Sequence, residues 1–78
     1  MSGCIIEEGV LYLHPNVGGG RVWRDSKEAC AQHSLTHVDA HFWVYKPGRR
    51  ACFLKKSNSN RSVDGNWVAG NRECGWGE

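Results

Sequence analysis

Residues 40–56 read AHFWVYKPGRRACFLKK. Phe42, Trp43, Val44 and Tyr45 form one apolar run, Pro47-Gly48 interrupts it, and Cys52, Phe53 and Leu54 resume it ahead of Lys55 and Lys56. Aromatic and β-branched residues on either side of a Pro-Gly turn predict a β-hairpin. Side chains alternate across a strand, so the layer that Cys52 meets also receives Arg50 and Leu54, while Arg49, Ala51, Phe53 and Lys55 face the other way. A cysteine inside the second arm needs a partner from elsewhere in the chain.

With 78 residues there is room for one domain, and so small a domain buries little of the surface its unfolded chain exposes. Such folds need a staple. Cys4, Cys30, Cys52 and Cys74 are spread over the whole chain and allow three pairings. Zinc fingers and ribbons use ligands paired closely in sequence, and no such pair is present. Long loops closed by disulfides suit a small secreted module, which places the chain in an oxidising compartment, secreted or on a cell surface. No apolar run approaches the length of a membrane span or a leader, and the chain reads as a module excised from a larger multi-domain protein.

Outward from the hairpin, Asp25 with Glu28 three residues on has the capping-box pattern of a helix running to Ser34 or Leu35. Cys30 lies near the centre of that helix. A helix cysteine and a hairpin-arm cysteine make a natural pair, Cys30 with Cys52, and Cys4 with Cys74 would then tie the ends. In the chain-entropy model a loop of about 70 residues is worth roughly 4 kcal/mol and one of about 22 roughly 3 kcal/mol. Either is comparable to the whole stability of such a domain, on the order of 5 kcal/mol.

Short strands are expected at Cys4–Ile6, Val10–Leu13, Arg21–Arg24 and Asn66–Ala69. His14 to Gly20 reads as a loop because three consecutive glycines carry a high entropic cost in a regular element, and it lacks the Gly-Lys-Ser/Thr of a phosphate loop. Ser57 to Ser62 is a polar loop containing the sequon Asn60-Arg61-Ser62, and Asp64-Gly65 predicts a turn. Residues 1–3 and 75–78 read as tails.

Net charge is only +2, but its distribution is uneven. From Lys46 to Arg61 there are six basic residues and no acidic one. Lys46, Arg49, Arg50, Lys55 and Lys56, with Phe53 among them, predict a cationic contact strip on the turn and edge of the hairpin; a solvated edge strand guarded by its charges is the plainer reading. Four tryptophans exceed what this core can hide. Trp43 reads as core, Trp23 and Trp67 as either core or surface, and Trp76 as exposed; an exposed indole beside basic residues would stack on a sugar ring or anchor a protein.

His33, His37 and His41 recur at four-residue steps, but Thr36, Val38 and Asp39 end the helix before His37, so no metal site is expected. No nucleophile elbow, His-Glu-x-x-His or redox cysteine pair is present, and neither catalysis nor a cofactor is expected. Disulfides and the small net charge argue against nucleic acid as a partner.

The capped helix Ser26-Lys27-Glu28-Ala29-Cys30, the aromatic strand ending in Tyr45, the Cys52-Phe53-Leu54-Lys55 segment and the closing Val68 to Cys74 together resemble the PAN/apple domain, over residues 4–74. The Cys-x-Leu-Lys piece is the most specific part. The family's second helix cysteine would fall at Ser34 and its partner at Ala40; both are missing together, which leaves a four-cysteine variant. The resemblance implies the pairs Cys4–Cys74 and Cys30–Cys52, and an α+β fold in which an antiparallel sheet of about five strands is wrapped against one helix. It also implies a non-catalytic adhesion module that binds a carbohydrate, sulfated glycans included, or a protein on a partner or host surface. The Lys-Pro-Gly hairpin and the Gly70-to-Cys74 closure are most similar to the microneme adhesins of apicomplexan parasites. The alternative is a structural or oligomerisation module within a larger secreted protein.

Overall fold

The structure, a computed structural model, describes residues 3–13, 16–57 and 61–76. Five strands and one α-helix follow in the order β1 (Ile6–Tyr12), β2 (Asn16–Trp23), α1 (Lys27–Ser34), β3 (Phe42–Lys46), β4 (Ala51–Lys55) and β5 (Arg61–Asn71), closed by a 3-10 helix, Arg72–Trp76. The strands form one antiparallel sheet in the order β1-β5-β3-β4-β2. The chain is therefore an α+β fold with a five-stranded sheet.

β3 and β4 are the predicted hairpin, in register from Phe42 opposite Lys55 to Lys46 opposite Ala51. The reversal takes four residues, Pro47 to Arg50, with the Arg49 amide donating to the Lys46 carbonyl and the Arg50 amide to that of Pro47. Arg50, not Gly48, takes the left-handed position, at φ 55°. The hairpin is not at an edge. β2 pairs along the outer side of β4, so the cationic edge strand expected from the sequence is an interior strand.

The helix begins one residue later than the capping-box reading placed it. Ser26, not Asp25, is the N-cap, and its hydroxyl accepts from the Ala29 amide at 3.1 Å. Glu28 falls in the first turn, where its carboxyl is held below the ordinary value by a backbone hydrogen bond and by Lys27 beside it. The helix buries Cys30, Ala31 and Ser34. Disulfides join Cys30 to Cys52, with Cα atoms 5.5 Å apart, and Cys4 to Cys74, 4.5 Å apart. Around the first bridge Ala31, Ala40, Trp43, Tyr45 and Leu54 form a core layer, and Trp43 donates its indole N–H to the Asn71 carbonyl at 2.7 Å.

Three local irregularities shape the other face. Of the two strands expected near the N-terminus, Ile6 of the first and Val10–Tyr12 of the second lie in one strand, β1, with a bulge at Gly9, φ 74°, between Glu8 and Val10. The expected Asp64-Gly65 turn lies inside β5, where residues 64–67 stand against Gly9 alone. Asp64 uses its side chain there to accept from the Asn66 amide at 3.0 Å. Gly18 to Gly20 likewise belong to β2 instead of a loop; the register slips between Val17 and Val22, so four residues oppose Phe53. His14 and Pro15 of that predicted loop, and the sequon's Asn60, lie outside the described residues.

The double bulge bends the ribbon of β1 and β5 across the sheet. Neighbouring strands stand about 4.8 Å apart, so in a flat sheet β1 would be roughly 10 Å from β3 and 14 Å from β4. Yet Tyr12 packs edge-on against Phe42 of β3, ring centroids 5.5 Å apart, and the Leu13 carbonyl accepts from the Lys55 ammonium of β4 at 3.1 Å. Val10, Tyr12, Val44 and Ala69 form a second buried layer, flanked by Leu11, Phe42, Phe53 and Trp67.

Ordered structure continues past Cys74, where the sequence suggested a tail. Gly75 is buried, and a Cβ built on it would lie 2.6 Å from the Ala31 carbonyl oxygen of the helix. Gly75→Ala should therefore cost about 1–3 kcal/mol through overpacking, whereas a residue in a tail would tolerate it. Urea unfolding of the oxidised protein, followed by fluorescence, measures the difference.

Candidate recognition site at the hairpin tip

The six residues expected to form one contact strip are dispersed. Arg49 and Arg50 stand exposed in the turn, and Arg50 reaches Asp25 at 3.6 Å across open solvent. Lys56 is exposed at the opposite end of β4. Phe53 is half-buried against Trp67, ring centroids 5.8 Å apart. Lys55 is buried, only 5% exposed, and its ammonium bonds the Leu13 carbonyl and lies 5.9 Å from the Phe53 ring; desolvation pushes its pKa down. The face opposite Cys52 is thus covered at Phe53 and Lys55, and Lys55 holds the folded ribbon in place.

What the fold does assemble lies at the turn end of that face. Trp23, the last residue of β2, is 63% exposed. It stands opposite Ala51 of β4, which stands opposite Lys46 of β3, so the three share one face of the sheet. The Arg21 guanidinium lies 5.0 Å from the Trp23 ring centroid, and Arg21, Trp23, Gly48, Arg49 and Ala51 line an open hollow of about 440 Å³. One strand beyond Ala51, the Lys46 ammonium lies 5.6 Å from the half-buried Trp67 ring. Two indoles and three cations thus lie on β2, β3, β5 and the hairpin turn. Sequence reading placed Arg49 and Lys46 in the strip, left Trp23 as either core or surface, and did not single out Arg21. The spacing Arg21-Val22-Trp23 was a usable signal, because alternate residues share a face and Val22 packs into the helix-side core.

The backbone around Trp23 is pinned from several sides. The Arg24 amide donates to the Arg50 carbonyl at 2.9 Å, and the Arg24 carbonyl accepts from the Tyr45 hydroxyl at 2.7 Å. The Arg24 side chain donates through Nη1 to the Trp23 carbonyl at 2.8 Å and meets His33 Nδ1 through Nη2 at 3.2 Å. His33 and His37 touch edge to face, with ring centroids 5.5 Å apart, but the helix ends at Ser34 and His37 is not on it. Among the described residues no three His, Cys, Asp or Glu side chains are grouped to hold a metal ion. Among the same residues, no helix is long and apolar enough to cross a membrane.

No protein-family model matches the chain, and no curated protein matches it.

The contrast between neighbouring lysines gives a direct check. Lys55→Glu puts a carboxylate where a buried ammonium meets a carbonyl and should cost on the order of 3 kcal/mol, whereas Lys56→Glu should stay within about 0.5 kcal/mol of the parent. Equal stabilities of the two variants in chemical denaturation would contradict the burial of Lys55.

Proposed function

We propose that the chain is an extracellular, non-catalytic recognition module of the PAN/apple kind, a four-cysteine variant whose sheet is wrapped against its helix. It binds a carbohydrate or protein ligand on a partner or host surface, through Trp23, Arg21 and Arg49. The observation that carries this reading is the exposed indole of Trp23, with the Arg21 guanidinium 5.0 Å from its ring centroid, in a hollow that Arg49 also lines. A Trp face left in water forgoes a large share of its burial energy, and an indole beside cations suits a sugar ring, a sulfated glycan or the acidic rim of a protein. Lys46 and Trp67 extend the surface along the same face for a ligand longer than one ring. Both disulfides have the pairing the resemblance implies, and Ser34 and Ala40, where the family's third bridge would stand, are both fully buried. Two disulfides are also consistent with an oxidising, extracellular setting.

A second reading, a structural or oligomerisation module in a larger secreted protein, draws on the other edge of the sheet. β1 pairs only with β5 among the described residues, and Ile5 and Ile6 at its start are exposed.

A glycan array probed with the oxidised domain, repeated with Trp23→Ala and Arg49→Glu, separates the two. Each substitution should weaken binding at least about tenfold while leaving stability within about 0.5 kcal/mol. A blank array with a dimer in sedimentation equilibrium would favour the second reading. The family resemblance has its own check: Ser34→Cys with Ala40→Cys should form a third disulfide, visible by mass mapping, and add about 2 kcal/mol of stability. Two free thiols in the doubly substituted, folded protein would count against it.

A further inference from the structure

We propose that Arg24 and His33 form a pH-sensitive clasp that holds the end of β2, and with it Trp23, against the helix, and that protonation of His33 opens it. A guanidinium offers only donors, so the 3.2 Å approach of Arg24 Nη2 to His33 Nδ1 requires a lone pair on Nδ1. The ring is therefore neutral, with its proton on Nε2. The same guanidinium donates to the Trp23 carbonyl, so one side chain ties the recognition corner to the last turn of α1. Adding a proton to Nδ1 sets two donors and two positive charges face to face, and the contact is lost.

The groups around the ring favour the neutral form. Partial burial is the largest influence lowering the His33 pKa, followed by the charge of Arg24 at the end of β2 and by His37 from the turn after the helix. The charged residues of the 3-10 helix packed on α1 are engaged elsewhere: Arg72 donates to the Val38 carbonyl and Glu73 lies beside Gly3. At the hairpin tip Arg50 is paired with Asp25. No carboxylate is among the groups that act on the imidazole.

A histidine whose folded pKa lies below its unfolded value binds its proton less readily in the folded protein. Its contribution to stability is fully present above the ordinary value of 6.5 and is lost as the pH falls through the folded value. Opening the clasp withdraws a donor from the Trp23 carbonyl and frees the Arg24 guanidinium from the helix. Acidification thus loosens the backbone that orients Trp23, a regulation that rests on the recognition reading for its biological use but not for its existence.

The test uses the oxidised 78-residue chain without ligand, so its outcome is independent of whether Trp23 binds anything. Nitrogen-15 NMR of the imidazoles at pH 7.5 should show His33 unprotonated at Nδ1, and titration to pH 4.5 should give it a midpoint below 6.5. The Trp23 and Arg24 amides should shift with that same midpoint. Arg24→Gln, which keeps the backbone bonds of residue 24, should raise the His33 midpoint, and His33→Gln should abolish the shift of the Trp23 amide. A proton on Nδ1 at neutral pH, Trp23 and Arg24 amides that do not follow His33, or a midpoint unmoved by Arg24→Gln would each overturn the clasp.

Discussion

The Cys30–Cys52 bridge is the constraint on which the rest of the fold depends. An eight-residue helix is too short to persist alone, and the face it buries consists of Cys30, Ala31 and Ser34, all small. At about 25 cal/mol per Å² those side chains bring too little apolar area to dock the helix by burial alone. The covalent link supplies what side-chain area cannot, and it does so at the centre of the sheet, because Cys52 lies on an interior strand. Trp43, Tyr45 and Leu54 close around the bridge and bury it completely.

A sheet covered by a helix on one face still has a second face to hide, and among the described residues there is no second α-helix. It uses its own sheet instead. The bulge at Gly9 and the four residues opposite it bend the β1–β5 ribbon until Tyr12 covers Phe42 and Leu13 reaches Lys55. The glycine is needed because its φ of 74° strains any side chain, and it meets Gly65 across the bulge. The ribbon covers Phe53 and Lys55 but stops short of the turn, so the hairpin tip and the end of β2 stay open to solvent. The proposed recognition corner lies where neither the helix nor the ribbon covers the sheet.

That corner is built from segments far apart in sequence: Arg21 and Trp23 from the end of an edge strand, Gly48 and Arg49 from the turn, Ala51 from the returning strand. Its rigidity comes from Arg24, which uses its amide, carbonyl and guanidinium to hold the hairpin, the Tyr45 hydroxyl and the helix histidine. The proposed contact residue Trp23 and its structural support Arg24 are therefore neighbours at the end of β2, with alternation turning Trp23 outward. In the proposed clasp, a single side chain links the helix histidine to the backbone of the exposed indole.

The hairpin, the helix with Cys30 inside it, and the burial of Trp43 were readable from residue order, because turn chemistry, capping and runs of apolar residues act over a few neighbours. Even the capping error was local: Asp25 and Ser26 are both good N-caps, and only the path of the chain selects between them. Strand order was not readable, since no local pattern states that β2 joins the outer side of β4 and makes it an interior strand. For the same reason Lys55, charged and near the end of a strand, looked like surface and is covered by a ribbon from the other end of the chain. Glycine runs and Asp-Gly pairs announced departures from regular geometry, but whether those became loops or bulges depended on the strand lying opposite. Arg21, Trp23 and Arg49 line one hollow for that reason too: pairing between distant strands brings β2 beside the turn, and the spacing of these residues along the chain carries no trace of it.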